Sequence, residues 1–138
     1  MKTSLEIVDI IYGYLTPTIL TDGILTGGVY KHKRPINSDK EDVVVSALAT
    51  INTDVQTAII NVNVHVPDLI IAANGAQESQ ADHVRLNYLG KYVMGFLDNK
   101  WAPGYSFNIQ QQILFEDLEG QEHYINIRIE FYSINVLN

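Results

Sequence analysis

Residues 60–67 read Ile60-Asn61-Val62-Asn63-Val64-His65-Val66-Pro67, and the architecture can be built from this stretch. Apolar, mostly β-branched residues alternate with Asn61, Asn63 and His65, and in a strand successive side chains point to opposite faces. The spacing predicts a strand with one face on a core and one face polar, as in an antiparallel sheet covered on one side. Pro67 has no backbone N–H to give to a ladder and stops the strand.

Upstream, Asp42 to Thr50 reads as a second strand with Val43, Val44 and Val45 at its centre, and Asn52 to Asp54 form the turn between the two. Gly27-Gly28 opens an earlier strand from about Val29 to Arg34, closed by Pro35 and the polar turn Asn37-Ser38-Asp39-Lys40. The chain begins with a helix. Thr3 with Glu6 fits a capping box, and Leu5, Val8, Ile11, Tyr12 and Leu15 recur at helical spacing. Pro17 ends this element by disfavouring helix in the residue before it. Thr18 to Thr26, interrupted by Asp22-Gly23, reads as a turn-rich connector with room for one extra helical turn.

Downstream, Asp68 to Gln77 reads as a connector that carries Leu69-Ile70-Ile71-Ala72-Ala73 and the Asn74-Gly75 turn signal. An apolar run in a connector has to be covered, by its own domain or by a partner. Ser79 with Asp82 resembles a capped helix start, and Ala81, Val84, Tyr88, Leu89, Tyr92, Val93 and Phe96 mark a helix ending near Asp98-Asn99. After Trp101-Ala102-Pro103-Gly104 a hairpin is expected. Its first strand, roughly 105–116, places Phe107, Ile109, Gln111, Ile113 and Phe115 on one face; its second, roughly 122–135, places Ile125, Ile127, Ile129 and Phe131 on one face. The turn is the acidic stretch Asp117 to Gln121.

The order is helix, three-strand meander, long loop, helix, hairpin, or α-β-β-β-α-β-β. The expected fold is a single α+β domain over residues 1–138. It has an antiparallel or mixed sheet of about five strands with both helices on one face. The opposite face would carry Asn61, Asn63, His65, Tyr124, Asn126, Arg128 and Glu130.

Composition bounds the chemistry. A chain of 138 residues is one domain's worth, and a hydrophobic fraction of 46% is that of a globular protein, not a disordered one. Nine basic against 16 acidic residues give a net charge of -7, which argues against an electrostatic grip on nucleic-acid backbone or anionic membrane. The absence of cysteine excludes disulfides, thiolate catalysis and Cys-bearing metal sites. No apolar run approaches a membrane span, and Glu6 and Asp9 argue against a signal peptide, so a compact intracellular domain is expected.

Motifs for catalysis are not found. His32, His65, His83 and His123 show neither H-x-x-x-H nor H-E-x-x-H spacing, and the reading is no metal site, although His65 and His123 sit at strand ends on one plausible polar face. The carboxylates fall in two clumps, Asp39/Glu41/Asp42 and Glu116/Asp117/Glu119/Glu122; both flank expected turns and read as solvated loops. There is no G-x-S-x-G or S-x-x-K, and Gly27-Gly28 lacks the Lys and Ser/Thr of a phosphate loop. The chain therefore reads as a non-enzyme without a cofactor. The basic cluster Lys31, His32, Lys33, Arg34 would meet a phosphate or an acidic protein surface, but alternation along a strand also places Lys31 and Lys33 in solvent. Tyr88 and Tyr92 share a helix face, Tyr124 and Tyr132 a strand face, and tyrosine suits protein interfaces.

The layout resembles that of the phage tail-completion or tail-terminator proteins. The residues that carry the resemblance are the opening helix Leu5–Leu15, the strand start Gly28-Val29-Tyr30 and the alternating strand Ile60–Val66. The late helix Ala81–Leu97 and the closing strand Tyr124–Tyr132 complete it. The Leu69–Gln77 connector fits the pattern least well. The resemblance implies a structural virion component, assembled in the bacterial host cytoplasm, that caps the head-proximal end of a tail as a homo-oligomeric, typically hexameric ring. It also implies phage tail or neck proteins as partners, with no sequence-specific nucleic-acid binding and no membrane contact. Net negative charge suits a ring that must not hold passing DNA.

Three readings remain open. In a structural assembly protein, the interaction surface would comprise Lys31, Lys33, Arg34, Asn61, Asn63, His65, Leu69, Ile70, Ile71, Tyr124 and Arg128. A small non-enzymatic ligand- or protein-binding α+β module would show a concave pocket, with Trp101 and Tyr105 beside Pro103-Gly104 at its mouth. An enzyme would need a perturbed titratable pair, for which His65 with Glu130 or His123 are the candidates.

Overall fold

The computed structural model describes residues 1–16 and 22–134. The expected helix stop at Pro17 and the connector residues 18–21 lie outside the described residues, as does the last expected residue of the closing strand. Helix α1 (Ser4–Leu15) is capped by Thr3, whose side chain accepts a hydrogen bond from the Glu6 backbone N–H at 3.1 Å. Satisfying one of the orphan donors of the first turn is what fixes the start. Ile7, Val8, Ile11 and Leu15 are its buried stripe. Helix α2 (His83–Leu97) buries Leu86, Leu89, Gly90, Val93 and Leu97. It is capped by Asp82, not by Ser79, so Ala81 precedes it.

The strands are β1 (Val29–Lys31), β2 (Asp42–Ile51), β3 (Val55–Pro67), β4 (Leu69–Ala73), β5 (Ala76–Gln80), β6 (Lys100–Ala102), β7 (Tyr105–Asp117) and β8 (Glu122–Ile134). Six form one sheet in the order β1-β2-β3-β8-β7-β6, and β4 pairs with β5 in a separate two-stranded sheet. The α+β class holds, with the alternating stretch as the long central strand β3. Its inward residues Ala58, Ile60, Val62, Val64 and Val66 face Ile127, Ile129 and Phe131 of β8 and the apolar stripes of both helices in one core. Gly90 lets α2 lie close against the sheet: a Cβ there would lie 2.7 Å from Ile125 Cδ1.

Four expectations are corrected. The main sheet has six strands, because Lys100–Ala102 pairs back on Tyr105–Phe107 around Pro103-Gly104, with Gly104 at φ +95°. The first three strands are not a meander: β1 runs parallel to β2, with Val29 beside Val43. Left-handed His32 (φ 68°) and Asn37 (φ 58°) bend residues 32–41 back, and Asp42 holds the return by accepting from the Gly28 N–H and Ser38 Oγ.

The stretch Asp68–Gln77 is not an irregular connector. Asn74 (φ 52°) and Gly75 (φ 78°) form a tight hairpin turn of the primed kind, which needs positive φ at both positions, and they close β4 on β5. Finally, a bulge at Gln110 shifts the pairing of β7 with β8 between Ile109 and Gln111. Beyond it, Gln111, Ile113 and Phe115 stand opposite Arg128, Asn126 and Tyr124 on the outer face, while Phe107 and Ile109 remain inside. One extra residue in a strand of period two exchanges its faces.

Candidate interaction surface

The outer face of the sheet is built in rows by the register of β2, β3, β8 and β7. One row is Asp42, His65, Tyr124, Phe115; the next is Val44, Asn63, Asn126, Ile113; the third is Ser46, Asn61, Arg128, Gln111. The expected placement of Asn61, Asn63, His65, Tyr124, Asn126, Arg128 and Glu130 on one face therefore holds. Asn126 Nδ2 donates to the side-chain oxygens of Asn61 (3.1 Å) and Asn63 (2.7 Å), which ties the middle rows together. The His65 and Tyr124 rings are 4.9 Å apart and Phe115 stacks on Tyr124 at 5.2 Å, an aromatic row across three strands. Arg128 Nε is buried in this face without a hydrogen-bond partner among the described residues.

At the edge of that face the two acidic stretches contribute to one buried ion cluster. Asp42 is 1% exposed and Glu122 2%. The Arg34 guanidinium bridges them, reaching Asp42 Oδ2 at 3.4 Å and Glu122 Oε1, and His65 Nδ1 lies 3.0 Å from the same Glu122 oxygen. An ionised carboxylate only accepts, so in a hydrogen bond to it His65 Nδ1 is the donor. Glu41, also buried, takes a forked pair of hydrogen bonds from Arg85 at 2.5 and 2.8 Å, which, with burial opposing, raises the Arg85 pKa. For Glu41, Asp42 and Glu122 the expected solvated loops are thus corrected. Each carboxylate is buried because a cation on another element meets it, and such pairing is what makes burial tolerable.

The remaining site expectations divide. The basic cluster does not act as one patch: Lys31 is bound to Asp9 at 2.6 Å and lies over the Tyr12 ring, Lys33 is exposed, and Arg34 is committed to the ion cluster. His65 and His123 are not near partners on one face. Tyr124 is opposite His65 and His123 opposite Val66, so the two imidazoles point to opposite sides of the sheet. His65 meets Glu122, not Glu130, and His123 meets Asp68 at 2.6 Å. Among the described residues no group of three or more His, Asp or Glu side chains is arranged to hold a metal ion. No described helix is long and apolar enough to cross a membrane. Trp101 and Tyr105 line, with Val55, Tyr132 and Ile134, a cleft of about 520 Å³.

Leu69, Ile70 and Ile71 lie on the arm formed by β4 and β5. Leu69 and Ile70 are 47% and 50% exposed, and of the ten strand residues only Ala73 is not exposed. The root is fixed: Asp68 accepts from Ser79 Oγ at 2.6 Å, holds His123, and its N–H donates to the Gln121 carbonyl at 2.9 Å. Sequence reasoning missed the exposed stretch of β7, where Asn108 to Glu116 are exposed except Ile109. Its apolar Ile113 and Phe115 read as core when a bulge is not foreseen.

No protein-family model matches the chain, and no curated protein matches it in sequence.

Proposed function

We propose that this chain is a structural assembly protein of the phage tail-completion or tail-terminator kind, working as a homo-oligomeric, hexameric ring that joins tail and neck proteins, without cofactor or turnover. The observation that carries this reading is the arm. A two-stranded hairpin with apolar side chains on both faces is marginal in water on its own, and Leu69, Ile70 and Ile71 are exposed along this one. Unmet burial of this kind supports association. The outer sheet face, with its Asn, Tyr and Arg rows, suits the polar part of such an interface.

Light scattering behind a sizing column, across a hundredfold concentration range, tests the reading. A discrete mass near six chains is expected, with rings in negative stain; a single-chain mass at every concentration overturns it.

A second reading, a small ligand-binding module, is favoured by the cleft at Trp101, Tyr105 and Tyr132. A thermal shift with a small apolar ligand that Trp101→Ala abolishes, in a chain that stays monomeric, would decide for it.

A further inference from the structure

The main sheet ends in an open edge. Strand β6 covers β7 only from Tyr105 to Phe107, which leaves the β7 backbone from Asn108 to Asp117 without a neighbouring strand, among the described residues, on the side away from β8. Natural edge strands are usually guarded by lysine, proline or covering elements. Residues 108–117, Asn-Ile-Gln-Gln-Gln-Ile-Leu-Phe-Glu-Asp, contain no lysine, arginine or proline. The bulge at Gln110 interrupts the edge once, and the charges stand only at its end. Beyond the bulge, Ile113, Leu114 and Phe115 are 41%, 56% and 41% exposed and, being consecutive, point to both faces.

We infer that the open edge of β7 is the acceptor for the β4–β5 arm of a second copy of this chain, the arm adding its strand to the neighbour's sheet. The inference rests on the self-association reading above and names its contact. Acceptor and donor are deficient in matching ways. A sheet edge lacks a strand, and a two-stranded arm lacks the third strand that stability requires. Leu69, Ile70 and Ile71 are also consecutive, so paired strands would cover apolar side chains on both faces at once. The five-residue arm strand fits within the straight part of the edge after the bulge. The chain's own arm does not fill this edge: among the described residues β4 and β5 pair only with each other. Between copies the contact is heterologous: arm to edge repeats head to tail and closes as a ring when the rotation permits.

The chain has no cysteine, so a full-length chain carrying Ile70→Cys or Ile71→Cys can be mixed with one carrying Ile113→Cys or Leu114→Cys and oxidised. An intermolecular disulfide in at least one mixture, and in neither variant alone, is expected, since bridging needs Cα atoms within about 7 Å. Ile113→Lys should reduce the assembly to single chains with an unchanged melt. No disulfide in any mixture overturns the inference, and so does efficient cross-linking of Ile113→Cys with itself, which would pair two β7 edges. Hexamers that form without the mixed disulfide would leave the ring standing and remove the arm-to-edge contact. The mixed disulfide in an assembly of another size would do the reverse.

Discussion

Arg34 and Glu122, 88 residues apart in the chain, form an ion pair whose carboxylate is only 2% exposed. Asp42 lies on the other side of the same guanidinium at 3.4 Å. The pair fastens the returning segment before β2 to the start of β8, two strands away in the sheet. It decides where one end of the outer face is closed.

Arg34→Ala removes the cation that the buried Asp42 and Glu122 carboxylates share. The expected loss is about 3–5 kcal/mol of unfolding free energy, the cost of an uncompensated buried charge. Urea titration measures it. The triple variant Arg34→Met, Asp42→Asn, Glu122→Gln should recover most of that loss, because it removes the charges together. An Arg34→Ala chain with the wild-type midpoint would show that the cluster contributes nothing.

Replacing Val62 or Val64 by Asp places an unpaired charge at fully buried positions of the central strand. Destabilisation beyond about 4 kcal/mol is expected, enough to abolish cooperative melting. A cooperative thermal transition at the wild-type temperature would contradict the assignment of the inner face.

The double variant Ile70→Ser, Ile71→Ser should behave differently. Both side chains lie on the arm and outside the core, so stability should move by no more than about 0.5 kcal/mol, as at other surface positions. The oligomer mass should fall in the same sample. A large drop in melting temperature would instead place the arm in the chain's own core.

Tyr105 titrates high. Burial disfavours its phenolate first, and the hydrogen bond with Tyr14 at 3.1 Å adds to this, so its pKa is pushed up from 10.0 to about 12. A pKa raised on folding means stability that is fully present below pH 10 and is lost as pH rises towards 12. Phenolate absorbance should therefore show Tyr105 titrating late, and Tyr14→Phe should bring it earlier. Tyr92 also titrates near 12 because Asp22 accepts its hydroxyl hydrogen, so a Tyr92→Phe background separates the two. Unaltered phenolate titration in Tyr14→Phe would exclude the hydroxyl contact as a cause.

The sequence by itself determined the class of fold and the faces of β3 and β8, but not the full helix stripes, where Leu5, Val84 and Tyr88 are exposed and Ile7 and Leu86 are buried instead. Thr3 starts α1, Ile60 to Val66 alternate, and Ile127, Ile129 and Phe131 share one face, because capping and periodicity act over neighbouring residues and need no distant partner. That Asn61, Asn63, His65, Tyr124, Asn126, Arg128 and Glu130 share the outer face followed from the same alternation. Only the tertiary structure decided what depends on register and pairing. The bulge at Gln110 is one residue in a polar Gln run, yet it turns Ile113 and Phe115 outward, because in a period-two strand one added residue exchanges every face after it. The acidic stretches around Asp42 and Glu122 read as solvated turns until Arg34 is seen between them. Burial of a charge is set by the partner that meets it in space, and that partner lies on another strand.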